Sequence, residues 1–301
     1  MNYRNYNNLN KVENTYKKML ENQNIDFLDT MKKKYLPKKK YDIWYIINKF
    51  NSIIDESDPD SDLPQIVHAY QTAESIKNRF LNDDFTLKED INIRDIFSDN
   101  EWNNLPDKYK IVYQNTFKKY YSNIEYWDWL YLVGFIHDLG KILLLDDFGG
   151  LEQWSVVGDT FPLGQKLDKS YIYEKKNFHK NNQDLLIDTY KNFCGFESIK
   201  MSWGHDEFLA SVLEFNNSNI PKEGVYIIRF HSFYSWHTPP NSTKRGYENL
   251  ANDYDWYMLP LLKLFQKSDL YSKTRKIPNE KDIMQNLNFL INKYSCDQLI
   301  W

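Results

Sequence analysis

The sequence predicts an all-α fold, and two observations carry that prediction. Apolar residues recur at helical spacing in "YDIWYIINKFNSII", "QIVHAYQTAESI", "YWDWLYLVGFIHDLGKILLL", "HDEFLASVLEFN", "EGVYIIRFHSFY" and "WYMLPLLKLFQKSDLY", whereas strand signals are sparse. Imidazoles and carboxylates also share apolar faces in several of these segments, which is how a helical bundle builds a metal site in its interior.

The segments assemble in order along one chain. Its 301 residues, 42% hydrophobic and 17% aromatic, are ample for a core. No repeat and no linker divides them, so residues 1–301 are read as a single domain. "DESDPDSDLP" has the Asp, Ser and Pro of a loop feeding a helix start, and "VVGDTFPLGQKLDKS" reads as a Gly/Pro-punctuated connection. From about Leu81 to Glu125 the chain is polar and charged with no sustained apolar face. That stretch reads as a surface insertion, with one amphipathic helix near "KIVYQNTFKKYY".

Composition narrows the function classes. Lys+Arg of 38 against Asp+Glu of 42 leaves a formal charge of -4, without the basic excess that phosphate backbones favour, so nucleic acid is not an expected partner. No apolar stretch reaches membrane-spanning length, and "MNYRNYNNLNKVENTYKK" offers no signal peptide, so the expectation is a soluble cytoplasmic protein with no membrane partner. Cys194 and Cys296 are too few for a disulfide scaffold and too far apart for a zinc knuckle or redox pair; both are expected to be reduced.

Four of the six histidines lie on apolar faces. His137 follows Leu130, Val133 and Gly134 at helical spacing, with Asp138 beside it. His205 shares a face with Phe208, Leu209 and Val212; His231 lines up with Ile227, Ile228 and Tyr234; His68 sits beside Ala69 and Ala73. Asp269 falls seven residues after Leu262 and four after Phe265, on the inner stripe of its helix. A single such histidine is more often a hydrogen-bonded core residue than a ligand. Four imidazoles and two carboxylates together are too many for one tetrahedral zinc and suit two borderline metals sharing a bridging carboxylate or solvent. His179, among polar neighbours, is expected at the surface, His237 in a structural loop role or near the site orienting another group, and Asp206 as an exposed acid or one that orients a ligand. Lys141, four residues after His137 and three after Asp138, is either a snorkelling side chain or a cation beside the metals that stabilises a bound oxygen anion.

The order His, His-Asp, His, His, Asp resembles the HD-domain superfamily, all-helical proteins that hold one or two metals. The finer resemblance is to the myo-inositol oxygenases. It is carried by "DESDPDSDLPQIVHAYQTAESI", "GFIHDLGKIL", "QWSVVGDTFPLG", "MSWGHDEFL", "IIRFHSFYSWHT", "MLPLLKLFQKSDLYSK" and "LINKYSCDQLIW", and by a short "YRNY" match at the start. The resemblance implies an HD-like helical bundle around a mixed-valent Fe(II)/Fe(III) pair. His68, His137, Asp138 and Asp269 would lie at one end, His205 and His231 at the other, with Asp138 bridging. It implies inositol contacts at Arg4, Asp55, Glu56, Ser57, Lys141, Gly158, Asp159, His231 and Ser232, with Lys141 catalytic. The reaction implied is cleavage of the myo-inositol ring by O2 to give D-glucuronate and water, by a monomer. The 81–125 stretch is longer than the family's usual connection between the first His and the His-Asp pair.

Two other readings stand beside this one. The same ligands suit an HD-type metal-dependent phosphohydrolase that activates water against a phosphate ester, although Asp, Glu and Ser dominate the loops where a dianion would favour several Arg or Lys. A catalytically silent, metal-stabilised interaction protein would use the polar insertion as its docking element.

Overall fold

The computed structural model describes residues 10–57, 64–239, 244–270 and 280–301. Two helices, α1 (Asn10–Asn22) and α2 (Ile25–Lys34), lead into a short strand β1 (Lys40–Asp42), then α3 (Ile43–Lys49) and the long α4 (Gln65–Phe80). The short helices α5 (Asp99–Asn103), α6 (Asp107–Val112) and α7 (Phe117–Tyr120) precede α8 (Asp128–Ile136). After a stretch built of 3-10 turns come α9 (His205–Phe215), α10 (Lys222–Phe230), α11 (Tyr234–His237), α12 (Asp253–Asp269), α13 (Glu280–Lys293) and β2 (Gln298–Ile300). The all-α expectation holds, since the strands among the described residues form only one antiparallel pair, with Tyr41 opposite Leu299.

Helix α8 is the hub. Its sequence "DWLYLVGFI" is apolar all round after Asp128, and every residue of it is buried. It packs against α4, α10 and α13, while α12 lies on α4 and α10, and α9 on α10. On α4 the small Ala69 and Ala73 stand in line with Ile66, Ile76 and Phe80 on the buried side, leaving room for close helix packing. Asp128 begins α8 and accepts from the hydroxyl of Tyr294 at 2.6 Å, which ties the C-terminal helix to the hub.

The 81–125 stretch differs from the expected surface excursion. Ile93, Tyr113, Phe117 and Tyr121 have no exposed area, and the KIVYQNTFKKYY region forms two short helices, α6 and α7, instead of one. The reason lies in the pattern. Each short turn buries only one or two apolar residues, so no periodicity accumulates over a window long enough to read. Complete burial of each large apolar side chain contributes about 1.5–3 kcal/mol, so these four anchor the segment firmly.

What the segment covers is α12, which needs covering. Pro260 lies inside α12, has no N–H, and therefore leaves the carbonyl of Trp256 without its helical donor. The Tyr113 hydroxyl donates to that carbonyl, and the Tyr121 hydroxyl donates to the next one, Tyr257 O, at 2.6 Å. A buried carbonyl is thus satisfied from outside its own helix. Tyr113→Phe is expected to lower the free energy of unfolding by about 1–3 kcal/mol, the cost of a buried acceptor left unpaired. Urea titration checks this, and an unchanged midpoint would show that another donor serves Trp256.

Candidate metal centre

Five helices each deliver one group to the same place. His68 projects from the first turn of α4, His137 follows the last residue of α8, His205 opens α9, His231 follows α10, and Asp269 ends α12. The expectation that His137, Asp138 and Lys141 ride one continuous α-helix is corrected here. Helix α8 stops at Ile136, and the chain tightens into a 3-10 turn over Leu139–Leu144. Lys141 still faces Asp138, because residues three apart lie on one side of a 3-10 helix. Gly140 permits this close approach, since a Cβ there would stand 2.1 Å from the carbonyl oxygen of His205.

Asp138 is the centre of the arrangement. Its Oδ2 lies 3.4 Å from His137 Nε2 and 3.7 Å from His68 Nε2, while its Oδ1 lies 3.2 Å from His205 Nε2 and 3.5 Å from His231 Nε2. Each oxygen of one carboxylate therefore faces a different pair of imidazoles. The ligand atoms of His68, His137 and Asp138, and those of Asp138, His205 and His231, form two groups within 4.8 Å. Asp269 Oδ1 joins the first group, 2.8 Å from His68 Nε2 and 3.6 Å from His137 Nε2.

The imidazoles are oriented by the backbone. His137, His205 and His231 each place Nδ1 against a carbonyl oxygen, of Gly134 at 2.9 Å, Val156 at 2.7 Å and Ile228 at 2.8 Å. With Nδ1 against a carbonyl, Nε2 is the nitrogen turned to the centre and becomes a metal ligand once it has given up any proton. His137 Nε2 is buried with no hydrogen-bond partner among the described residues, and burial pushes the His137 pKa down. A buried neutral nitrogen of this kind calls for an electrophile.

The charges call for one as well. Asp55, Asp138, Asp159, Asp206 and Asp269 are all buried around a single buried ammonium, that of Lys141. Burial works to raise the Asp138 pKa, yet the charge of Lys141 and the hydrogen bonds from His205 and His231 hold it well below the ordinary range. Burial likewise opposes ionisation of Asp269, and His137 and His68 hold it well below that range. Ionised carboxylates gathered this densely need more positive charge than one lysine provides. Metal ions supply it, and the nitrogen and oxygen donors suit borderline first-row cations.

Lys141 is fully engaged. Its Nζ lies 2.8 Å from Asp55 Oδ2, 2.8 Å from Asp138 Oδ2 and 2.9 Å from Gln65 Oε1, three acceptors for three donors. Burial opposes its charge, but Asp138 and Asp55 more than offset this and lift its pKa above the usual lysine value. Held among these acceptors and buried, it does not snorkel to the surface.

Of the two readings of Asp206, the exposed acid is set aside: it is buried and stands against His205. Its Oδ1 lies 2.6 Å from His205 Nε2, nearer than Asp138, and it accepts from the hydroxyls of Thr160 at 2.9 Å and Ser232 at 3.2 Å. Burial lowers the His205 pKa, but Asp206 and Asp138 outweigh it and raise it to about 10. His205 thus holds a proton in this arrangement that a metal would displace. His179 is also corrected. It is buried in the turn Phe178–Asn181, and the polar neighbours that suggested a surface position, Asn177 and Lys180, point outward.

One cavity gathers these groups. Asp55, Ser57, Lys141, Gly158, Asp159 and Ser232 line it together with all six proposed ligands, His68, His137, Asp138, His205, His231 and Asp269. Gly158 has φ +102, a backbone conformation that side chains other than hydrogen disfavour, and it turns the chain so that Asp159 reaches the wall. Glu56 is not part of the lining; its partly exposed carboxylate pairs with Lys11 of α1 at 2.9 Å. Arg4 lies outside the described residues. The sequence reading missed Gln65 and the lining role of Tyr234. Gln65 carried a signal, standing three residues from His68 on the same side of α4, whereas Tyr234 begins a new helix after the turn that follows His231.

Fold and site together define a class, helical HD-like proteins whose buried His and Asp side chains can hold metal. The chain belongs to the myo-inositol oxygenase family, whose model matches residues 9–111 and 98–301. Curated relatives include inositol oxygenase 2 of Arabidopsis thaliana, 36% identical over 96% of this chain and 78% of its own length. Inositol oxygenase of Danio rerio is 34% identical over 99% of this chain and 93% of its own, and that of Mus musculus 35% identical over 99% and 90%.

Two outcomes follow from the geometry. Gly140→Ala should destabilise the fold by about 1–3 kcal/mol or more through overpacking and should reduce metal uptake, because His205 must move; calorimetry and metal analysis check it. Burial opposes ionisation of Asp55, but Lys141 and Ser57 hold its pKa below the ordinary value. Its contribution to stability is therefore present above the unfolded value of about 3.9 and lost as pH falls through the lower folded value. In metal-free protein, Asp55→Asn should lessen the fall in unfolding free energy between about pH 6 and about pH 3, read by urea titration at each pH.

Proposed function

We propose that this chain is a di-iron inositol oxygenase that cleaves the ring of myo-inositol with O2 to give D-glucuronate and water. The observation that carries the metal half of this reading is the pair of Asp138 oxygens, each turned to a different pair of imidazoles. Family membership and the relatives named inositol oxygenase carry the substrate half.

His68, His137 and Asp269 would hold one iron and His205 and His231 the other, with Asp138 shared. When bound, a mixed-valent iron pair would supply Lewis acidity toward a substrate hydroxyl and a site for activating dioxygen, while the four electrons that reduce O2 come from the inositol itself. The chain's own residues do the rest. A neutral polyol is recognised by many directional hydrogen bonds, and Asp55, Ser57, Asp159 and Ser232 present carboxylates and hydroxyls in the cavity wall. Lys141 holds a fixed positive charge beside that wall and stabilises an alkoxide oxygen there. Since all three of its protons are already donated, a substrate oxygen must take over or share one of them. The raised pKa of Lys141 makes it an unsuitable base, so it does not take the hydroxyl proton. The apolar surroundings contributed by α8 and Phe265 keep bulk water from the reacting atoms.

A phosphohydrolase is the poorer fit. One lysine among five buried carboxylates offers little to a phosphate dianion. The same reading takes the chain to act in the cytoplasm as a monomer on small molecules, with neither nucleic acid nor membrane as partner. No described helix is long and apolar enough to cross a membrane.

Protein loaded anaerobically with Fe(II) and given myo-inositol and O2 should form uronate with oxygen uptake and release no phosphate from phosphate esters. A folded, iron-loaded sample that forms no glucuronate would sink the oxygenase reading. Lys141→Ala should keep its iron and lose about a hundredfold or more in kcat, as removal of a single oxyanion donor does; loss of iron would instead assign Lys141 a structural role.

A further inference from the structure

The 81–125 segment reaches further into the molecule than its bracing of α12 requires. Glu101 of α5 is fixed at its own helix start by a reciprocal capping pair with Ser98, its Oε2 accepting from the Ser98 backbone and hydroxyl at 2.9 Å each. Its Oε1 accepts from Nζ of Lys263, a lysine of α12 that is 6% exposed. Such a cation needs a fixed counter-charge, and Glu101 provides it. The same Nζ donates to the carbonyl of His237 at 2.9 Å. The His237 side chain, with no exposed area, donates from Nε2 to the carbonyl of His231 at 2.9 Å, and its Nδ1 accepts from Thr238 Oγ1 at 3.1 Å. Gln266 of α12 donates to the same His231 carbonyl.

The His231–Ser232 peptide is thereby gripped from two sides. It carries one proposed ligand, His231, on its first residue and a cavity-lining hydroxyl, Ser232, on its second. On the far side, Ser232 O accepts from the Thr160 backbone at 2.9 Å. A rotation of that peptide would swing His231 Nε2 away from Asp138 Oδ1.

We propose that Glu101 is a positioning residue for His231. It acts through Lys263 and His237, so the 81–125 segment sets one half of the metal centre. This rests on the dinuclear reading above. Groups that orient a ligand from behind are commonly worth about 10–100-fold in metal affinity, and here the effect should fall on one metal only. The hydrogen bonds just described reach His231 and not the side chains of His68, His137 or Asp269.

The test is titration of metal-free protein with Co(II) alone, followed by its visible absorption and by calorimetry, in the wild type, Lys263→Met and the double variant Glu101→Gln/Lys263→Met. The double variant removes both charges together, so neither is left buried and unpaired. Wild type should bind two equivalents. In both variants one equivalent should weaken by about 10–100-fold, with an altered absorption band, and the other should keep its affinity. Equal affinities in variant and wild type would overturn the proposal, and so would equal weakening of both equivalents, the mark of a merely structural effect. Fewer than two equivalents in the wild type would overturn the dinuclear reading itself, and the positioning role with it.

Discussion

Everything in this molecule is arranged around the Asp138 carboxylate. A carboxylate with 2% exposure inside a helical bundle is costly unless every oxygen lone pair has a partner. Asp138 meets that demand with Lys141 and four imidazoles, drawn from four helices that are far apart in sequence. The demand also shapes the backbone. Helix α8 ends one residue before His137, the chain tightens, and Gly140 slips beneath the start of α9. Without that local change of helix type the two oxygens would not be turned to two separate histidine pairs.

A second constraint comes from α12, which has to be both interrupted and rigid. Pro260 breaks its hydrogen-bond ladder a few residues before Asp269. The hydroxyls of Tyr113 and Tyr121 mend the break from the 81–125 segment, and Lys267 Nζ reaches back to the Asp95 carbonyl at 2.8 Å. Lys263, one turn earlier on α12, is paired with Glu101 and holds the His237 carbonyl. The polar stretch that reads as a surface insertion along the chain is therefore continuous with α12 and with the backbone around His231.

The six groups proposed as ligands were legible as inward-facing because burial of a polar group in a helix leaves a trace in spacing. His68, His137, His205, His231 and Asp269 each share a face with apolar residues, and each is found at the centre. The same logic extends to Gln65, three residues from His68 on α4. It fails for His179 and leaves Asp206 between two readings. His179 is buried by a short turn packed on α1, where no periodicity exists to read. Asp206 follows a ligand in sequence, and its burial depends on Thr160 and Ser232, which come from other segments.

By itself, then, the sequence determined the helical class, the six groups on inner faces and, through long ordered motifs, the family. These rest on local periodicity and residue identity, which survive in one dimension. Tertiary structure decided which oxygen of Asp138 faces which histidine, that Lys141 is an ammonium with all three donors engaged, that Glu56 turns to Lys11, and that residues 81–125 brace the site. Each of these depends on a distance between residues remote along the chain, and on short turns whose single buried side chains leave no repeating pattern.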